Sequence, residues 1–137
     1  AINDGEEHIV AVVFDNGQLA MYIDGELDKS FNLGESYSTF GSGERRYGFM
    51  GTGSEAEEFD GQQGPTEYLS GDLHWLQHWN KALTEQQIKY YSDPSLLEGN
   101  ESGLVSYYQY PDGADDIFYD TANSNDGLIY GAEVVEE

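Results

Sequence analysis

The sequence encodes an all-β fold, an antiparallel jelly-roll β-sandwich with one short helix near residues 84–91. Three observations carry this expectation. Runs rich in Val, Ile, Tyr and Phe recur along the chain, turn chemistry separates them every ten or so residues, and only one stretch carries a helix start.

The first third sets the pattern. Residues 8–14 and 18–24 are β-rich runs joined by Asp15-Asn16-Gly17, and Asn and Gly accept the positive φ that a tight hairpin turn demands. Alternation places Val10, Val12 and Phe14 on one face of the first strand, and Leu19, Met21 and Ile23 on one face of the second. A second turn at Asp24-Gly25 leads into a strand over 27–33, which makes a β-meander. Residues 34–46 are rich in Gly and Ser and read as a connection, followed by a short strand at 47–52. The stretch 53–67 gathers acids, Gly and a Pro, so it reads as a long loop.

"GDLHWLQHWNKALTEQQI", residues 71–88, supplies the next strand and the helix. Thr84 with Gln87 three positions on forms a capping box, and Asp93-Pro94 stops the helix. Strands then follow at 103–110, 117–120 and 128–135, separated by the polar turns "PDGADD" and "TANSNDG". No short-period repeat appears, and 137 residues suit a single domain.

Composition bounds the function. Five basic residues against 27 acidic ones give a net charge of −22, which repels nucleic acid and anionic lipid. That charge also opposes folding unless cations neutralise part of it, and Ca²⁺ is the natural candidate. With no Cys, neither disulfides nor thiolate metal sites are available. No apolar run reaches the roughly 18 residues of a membrane span. Together with the many Asp-Gly and Asn-Gly turns, this suits an extracellular bacterial protein in a calcium-rich medium, halophilic adaptation being the alternative source of the acidity.

Three motifs resemble a known family. "NDGEEHIVAVVFDNGQLAMYIDGE" is similar to the hairpin of laminin-G-like, concanavalin A-like jelly rolls. "GDLHWLQHWNKALTEQQI" resembles that family's strand-and-helix segment, and "GNESGLVSYYQYPDGADDIFYDTANSNDGLIYGA" its Gly-Leu-Val-x-Tyr-Tyr segment. Together they cover more than half of the chain. In a common version of the family the last segment comes first, so the chain reads as a compact, permuted variant or as a half-domain completed by another segment. The resemblance implies a laminin-G-type adhesin module, of the sort found in large repeats-in-toxin (RTX) proteins of bacterial surfaces and biofilms.

The candidate sites divide by chemistry. Asp112, Asp115 and Asp116 with Asp120, Asn123, Asn125 and Asp126 bring hard oxygen donors into adjacent turns, as Ca²⁺ requires; the alternative is that they cap turns through local hydrogen bonds. Glu55, Glu57, Glu58 and Asp60 form a second acidic group, better read as a solvated loop. His74 and His78 share a strand face but sit about 13 Å apart at roughly 3.3 Å per residue, too far for one metal ion. Trp79, beside the helix cap, is expected to pack; Trp75, His74 and Tyr108 are the candidates for ligand contact, Trp75 as a sugar-stacking platform.

Enzymatic readings find little support. No strand carries the Glu-x-Asp-x-x-Glu of related glucanases, and no Gly-x-Ser-x-Gly, P-loop or His-Glu-x-x-His is present. The expectation is a non-catalytic, calcium-stabilised adhesin module that binds a glycan or peptide or scaffolds neighbouring domains of the same large protein. The alternative is an accessory carbohydrate-binding domain of a secreted glycoside hydrolase.

Overall fold

Asn16 and Gly17 take positive φ values of 45° and 82°, and Asp24 and Gly25 values of 53° and 77°, so both expected turns close as two-residue hairpins. They join β1 (Val10–Asp15), β2 (Gln18–Ile23) and β3 (Glu26–Asn32) into an antiparallel sheet in that order. The computed structural model describes residues 2–37, 50–51, 69–109, 116–129 and 131–133. The expected strand at 47–52 falls largely outside the described residues, and the loop at 53–67 wholly so.

Register confirms which side chains share a face. Val10 pairs with Ile23, Val12 with Met21 and Phe14 with Leu19, and Leu19 pairs in turn with Phe31. Alternation alone does not say that this face is covered. Val10, Val12 and Phe31 are 48, 61 and 46% exposed. Glycine is required at position 17 for a second reason: a Cβ there would lie 2.4 Å from the Gly34 carbonyl oxygen.

The buried centre lies further along the chain. β4 (Trp75–Trp79) pairs antiparallel with β5 (Leu104–Gln109), and α1 (Glu85–Tyr91) follows β4. Thr84 caps α1: its Oγ accepts from the Gln87 backbone N–H, while the Gln87 side chain accepts from the Thr84 N–H, completing the expected capping box. A bulge shifts the register between His78 and Trp79, leaving Trp79 opposite Leu104. Ile88, Leu104 and Tyr107 are buried, with Ser106 and Asp120 as buried polar partners. A short pair, β6 (Ile117–Phe118) with β7 (Gly127–Leu128), brackets the Asn-rich loop. Among the described residues the regular structure is therefore mostly antiparallel strand, with one α-helix.

Candidate functional site

The ring-rich run turns its side chains onto the helix. Gln77 donates from Nε2 to the Tyr91 carbonyl at 2.9 Å and accepts from the Trp79 indole N–H at 3.1 Å. The Trp79 ring lies 4.7 Å from that of Tyr91, and the Lys81 ammonium sits 5.1 Å from its centroid. Lys81 also donates to the Ser102 carbonyl, which ties the strand exit to the turn before β5. Trp79 thus joins β4 to α1. Trp75 is half-buried and pairs with Gln109, while His74, exposed, stands just ahead of β4. Tyr108 stacks on Phe118 at 5.4 Å and donates its hydroxyl to the Asn125 carbonyl, so its ring and its polar tip are both held by the protein.

The Asn-rich loop is organised by Asp120. One carboxylate oxygen accepts from the N–H groups of Tyr107 (2.8 Å) and Ala122 (3.0 Å). The other accepts from the Asn125 backbone N–H (3.0 Å) and its side-chain amide (3.1 Å). Burial alone would push this carboxyl up, but the backbone N–H groups of Tyr107, Asn125, Ala122 and Asn123 outweigh it and hold the pKa at about 2. Asn123 reaches back to the Leu104 and Val105 carbonyls, and Asp126 accepts from the Asp120 N–H. Asp120 and Asp126 thus accept from nearby backbone N–H groups, as turn caps do, whereas the Asn123 amide donates across to β5 and the Asn125 amide to Asp120.

This arrangement bears on calcium. With four N–H donors on its two oxygens, Asp120 is saturated as an acceptor, and among the described residues no three His, Asp or Glu side chains gather as a metal group. Asp116 is exposed; Asp112 and Asp115, like Glu55, Glu57, Glu58 and Asp60, lie outside the described residues.

A cleft of about 410 Å³ opens at the far end of the meander, lined by Asp15, Asn16, Gln18, Asn32, Gly34 and Glu35. Pairing explains the grouping: Gln18 stands between Asp15 on β1 and Asn32 on β3. The Leu33 N–H donates to the Gly17 carbonyl and the Gly34 N–H to the Asn32 side chain, so the walls are fastened to each other. Two carboxylates and three amide side chains with no cation among them suit a neutral ligand rich in hydroxyls and disfavour an anion. The sequence reading took Asp15-Asn16-Gly17 only as a turn. Its signal was the polar end of three consecutive strands, which becomes a site once register aligns them.

No helix among the described residues is long and apolar enough to cross a membrane. No curated protein matches the chain. A solved S-layer domain-containing protein from Clostridium thermocellum ATCC 27405 (its residues 221–444) is similar in structure, with a TM-score of 0.53 and 25% identity over 68% of this chain. The match spans 42% of that solved chain. The profile of the laminin-G-type family described as the concanavalin A-like lectin/glucanases superfamily matches residues 1–89. These residues carry the hairpin, the cleft, the ring-rich strand and most of the helix, and by that match the chain belongs to the concanavalin A-like lectin/glucanase superfamily, whose jelly-roll sandwich its antiparallel sheets and single helix fit.

Proposed function

We propose that the chain is a non-catalytic module of a surface-exposed bacterial protein, an adhesin-like domain that holds a neutral glycan at the Asp15–Glu35 cleft on a scaffold fixed by its aromatic strand and helix. The observation that carries this reading is the cleft itself. Its volume falls within the range of roughly 300–1,000 Å³ usual for ligand sites, and its carboxylates and amides match sugar hydroxyls. Membership of a lectin-like family and likeness to an S-layer domain-containing protein support an extracellular, cell-surface setting. The same module serves equally as an accessory carbohydrate-binding domain beside a catalytic one.

Calcium belongs to the proposal through charge rather than through a cage: a net charge of −22 favours any divalent cation that screens the folded state. A spacer role is the second reading, favoured by the packing of Trp79 and Tyr108 into the fold.

An array of neutral oligosaccharides, probed with the intact chain in calcium and in chelator, tests the proposal. Binding is expected to fall about tenfold or more in Glu35→Ala, a hydrogen bond to a charged group being worth about 1.5–3 kcal/mol, and by about twofold to tenfold in Gln18→Ala, where a neutral one is worth about 0.5–1.5 kcal/mol. No reducing sugar should be released. Loss of binding in Trp75 or His74 variants instead would move the site to the sheet face beside β4; no binding at all would leave the spacer reading; turnover would overturn the non-catalytic one.

A further inference from the structure

His8 lies between two carboxylates contributed by different parts of the chain. Its Nε2 is 3.0 Å from Asp4 Oδ1 on the lead segment, and its Nδ1 is 2.9 Å from Asp24 Oδ2 in the β2–β3 turn. An ionised carboxylate only accepts hydrogen bonds, so each ring nitrogen must carry a proton for both contacts to be favourable. Neutral imidazole has one N–H, and its other nitrogen would then present a lone pair to a negative oxygen. We propose that His8 is a protonation-dependent clip: as imidazolium it fastens the lead segment, residues 2–7, to the Asp24-Gly25 turn, and on losing a proton it lets that segment go while the meander stays folded.

The surroundings favour this reading. A metal bridge is excluded by the ring's own geometry, because its two nitrogens diverge and cannot meet one ion. The meander does not depend on the clip, since Asp24 Oδ1 also accepts from the Ile9 N–H at 3.0 Å and the Asp24 N–H donates to the Ile9 carbonyl at 2.8 Å. On the lead, the Glu6 N–H donates to Asp4 Oδ1, which fixes the carboxylate in place. Glu6 and Glu7 are the other acids of that segment. From the helix side, Lys89 lies against Gly25 with its ammonium held by Glu85 at 2.9 Å and influenced by Glu26. No other cation is paired to Asp4 or Asp24 among the described contacts, which leaves His8 as the counter-charge for both.

Titration directions agree with the geometry. Hydrogen bonds to Asp24 first, and then to Asp4, raise the His8 pKa above the ordinary 6.5. Asp4 is lowered by the Glu6 N–H and by His8, and Asp24 by the Ile9 N–H and by His8. The stabilisation from His8 is therefore complete below its ordinary value and disappears as pH rises through the raised one. That from the two carboxylates is complete above their ordinary value of 3.8 and disappears as pH falls through the lowered ones. The clip is closed between the lowered carboxylate values and the raised imidazole one, and opens on either side.

Nitrogen-15 NMR of the intact chain between pH 5 and 9 tests this. The expected result is that both His8 ring nitrogens are protonated at pH 6 and that the titration midpoint lies above that of a peptide spanning residues 2–9. Asp4→Asn, on an exposed lead and so without risk to the fold, should lower the midpoint. Backbone order at residues 3–7 should fall as pH passes the midpoint, and should be low at every pH in His8→Gln. A midpoint at or below the peptide's, or residues 3–7 equally ordered with His8 neutral, would overturn the proposal.

Discussion

Replacing Asp120 by Ala is expected to destabilise the protein by about 3–4 kcal/mol, read as a fall in the urea midpoint followed by far-ultraviolet circular dichroism. Asp120 is 4% exposed and joins β5 to the Asn-rich loop, so truncation leaves the buried N–H of Tyr107 and the half-buried N–H groups of Ala122 and Asn125 without their acceptor. Each orphaned buried donor costs about 1–3 kcal/mol, partly recovered where the loop relaxes outward. Asp120→Asn preserves size but turns an amide donor toward one of the two donor pairs, so a loss of about 2 kcal/mol is expected there. The carboxyl's pKa of about 2 adds a pH signature. Its stabilisation is complete above the ordinary 3.8 and is lost as pH falls through 2, amounting to up to about 2 kcal/mol after allowance for the exposed outer residues of the loop. Asp120→Asn should be insensitive to that acid limb.

Trp79→Ala should cost about 3 kcal/mol by the same measurement. The indole is half-buried rather than fully enclosed, which places it at the low end of the usual range for removing a large ring. What is lost is the stack on Tyr91, the Lys81 ammonium's aromatic partner and the hydrogen bond that orients Gln77. Since Gln77 in turn holds the Tyr91 carbonyl at the end of α1, the helix should loosen together with the strand. Trp79→Phe keeps a ring against Tyr91 and loses the indole N–H, so about 1 kcal/mol is expected. An equal loss in both variants would mean that the hydrogen bond, and not the ring contact, joins β4 to α1.

Local chemistry was readable wherever neighbouring residues decide it. Asn16-Gly17 and Asp24-Gly25 need positive φ, Thr84 and Gln87 satisfy each other's backbone, and alternation sorts Val12 from Val13 without knowledge of the rest of the chain. Burial was harder, because a period of two tells which side chains share a face and not what lies over it. Val10 and Val12 share theirs with Met21 and Ile23 and are nonetheless exposed, whereas the buried Leu104 and Tyr107 lie on β5 and the buried Ile88 on α1. The acidic residues show the same limit. Spacing alone made Asp120, Asn123, Asn125 and Asp126 equally good as calcium donors and as turn caps, and it takes the structure to show the Asp120 and Asp126 oxygens accepting from backbone N–H groups and the Asn123 and Asn125 amides donating. The cleft needed register, which sets Asp15, Gln18 and Asn32 side by side across three strands. His8 needed a contact sixteen residues away.

Amide hydrogen exchange on the intact chain tests most directly whether the ring-rich strand and its helix are the structural centre rather than an open binding face. The structure predicts the slowest exchange at Leu104 to Gln109, at Ile88 of α1 and its C-cap Ser92, and at Thr121, whose N–H donates to the Tyr107 carbonyl, with β3 exchanging faster because every one of its residues is exposed. Slowest exchange in β1 to β3, with β5, α1 and Thr121 exchanging as freely as loops, would contradict it.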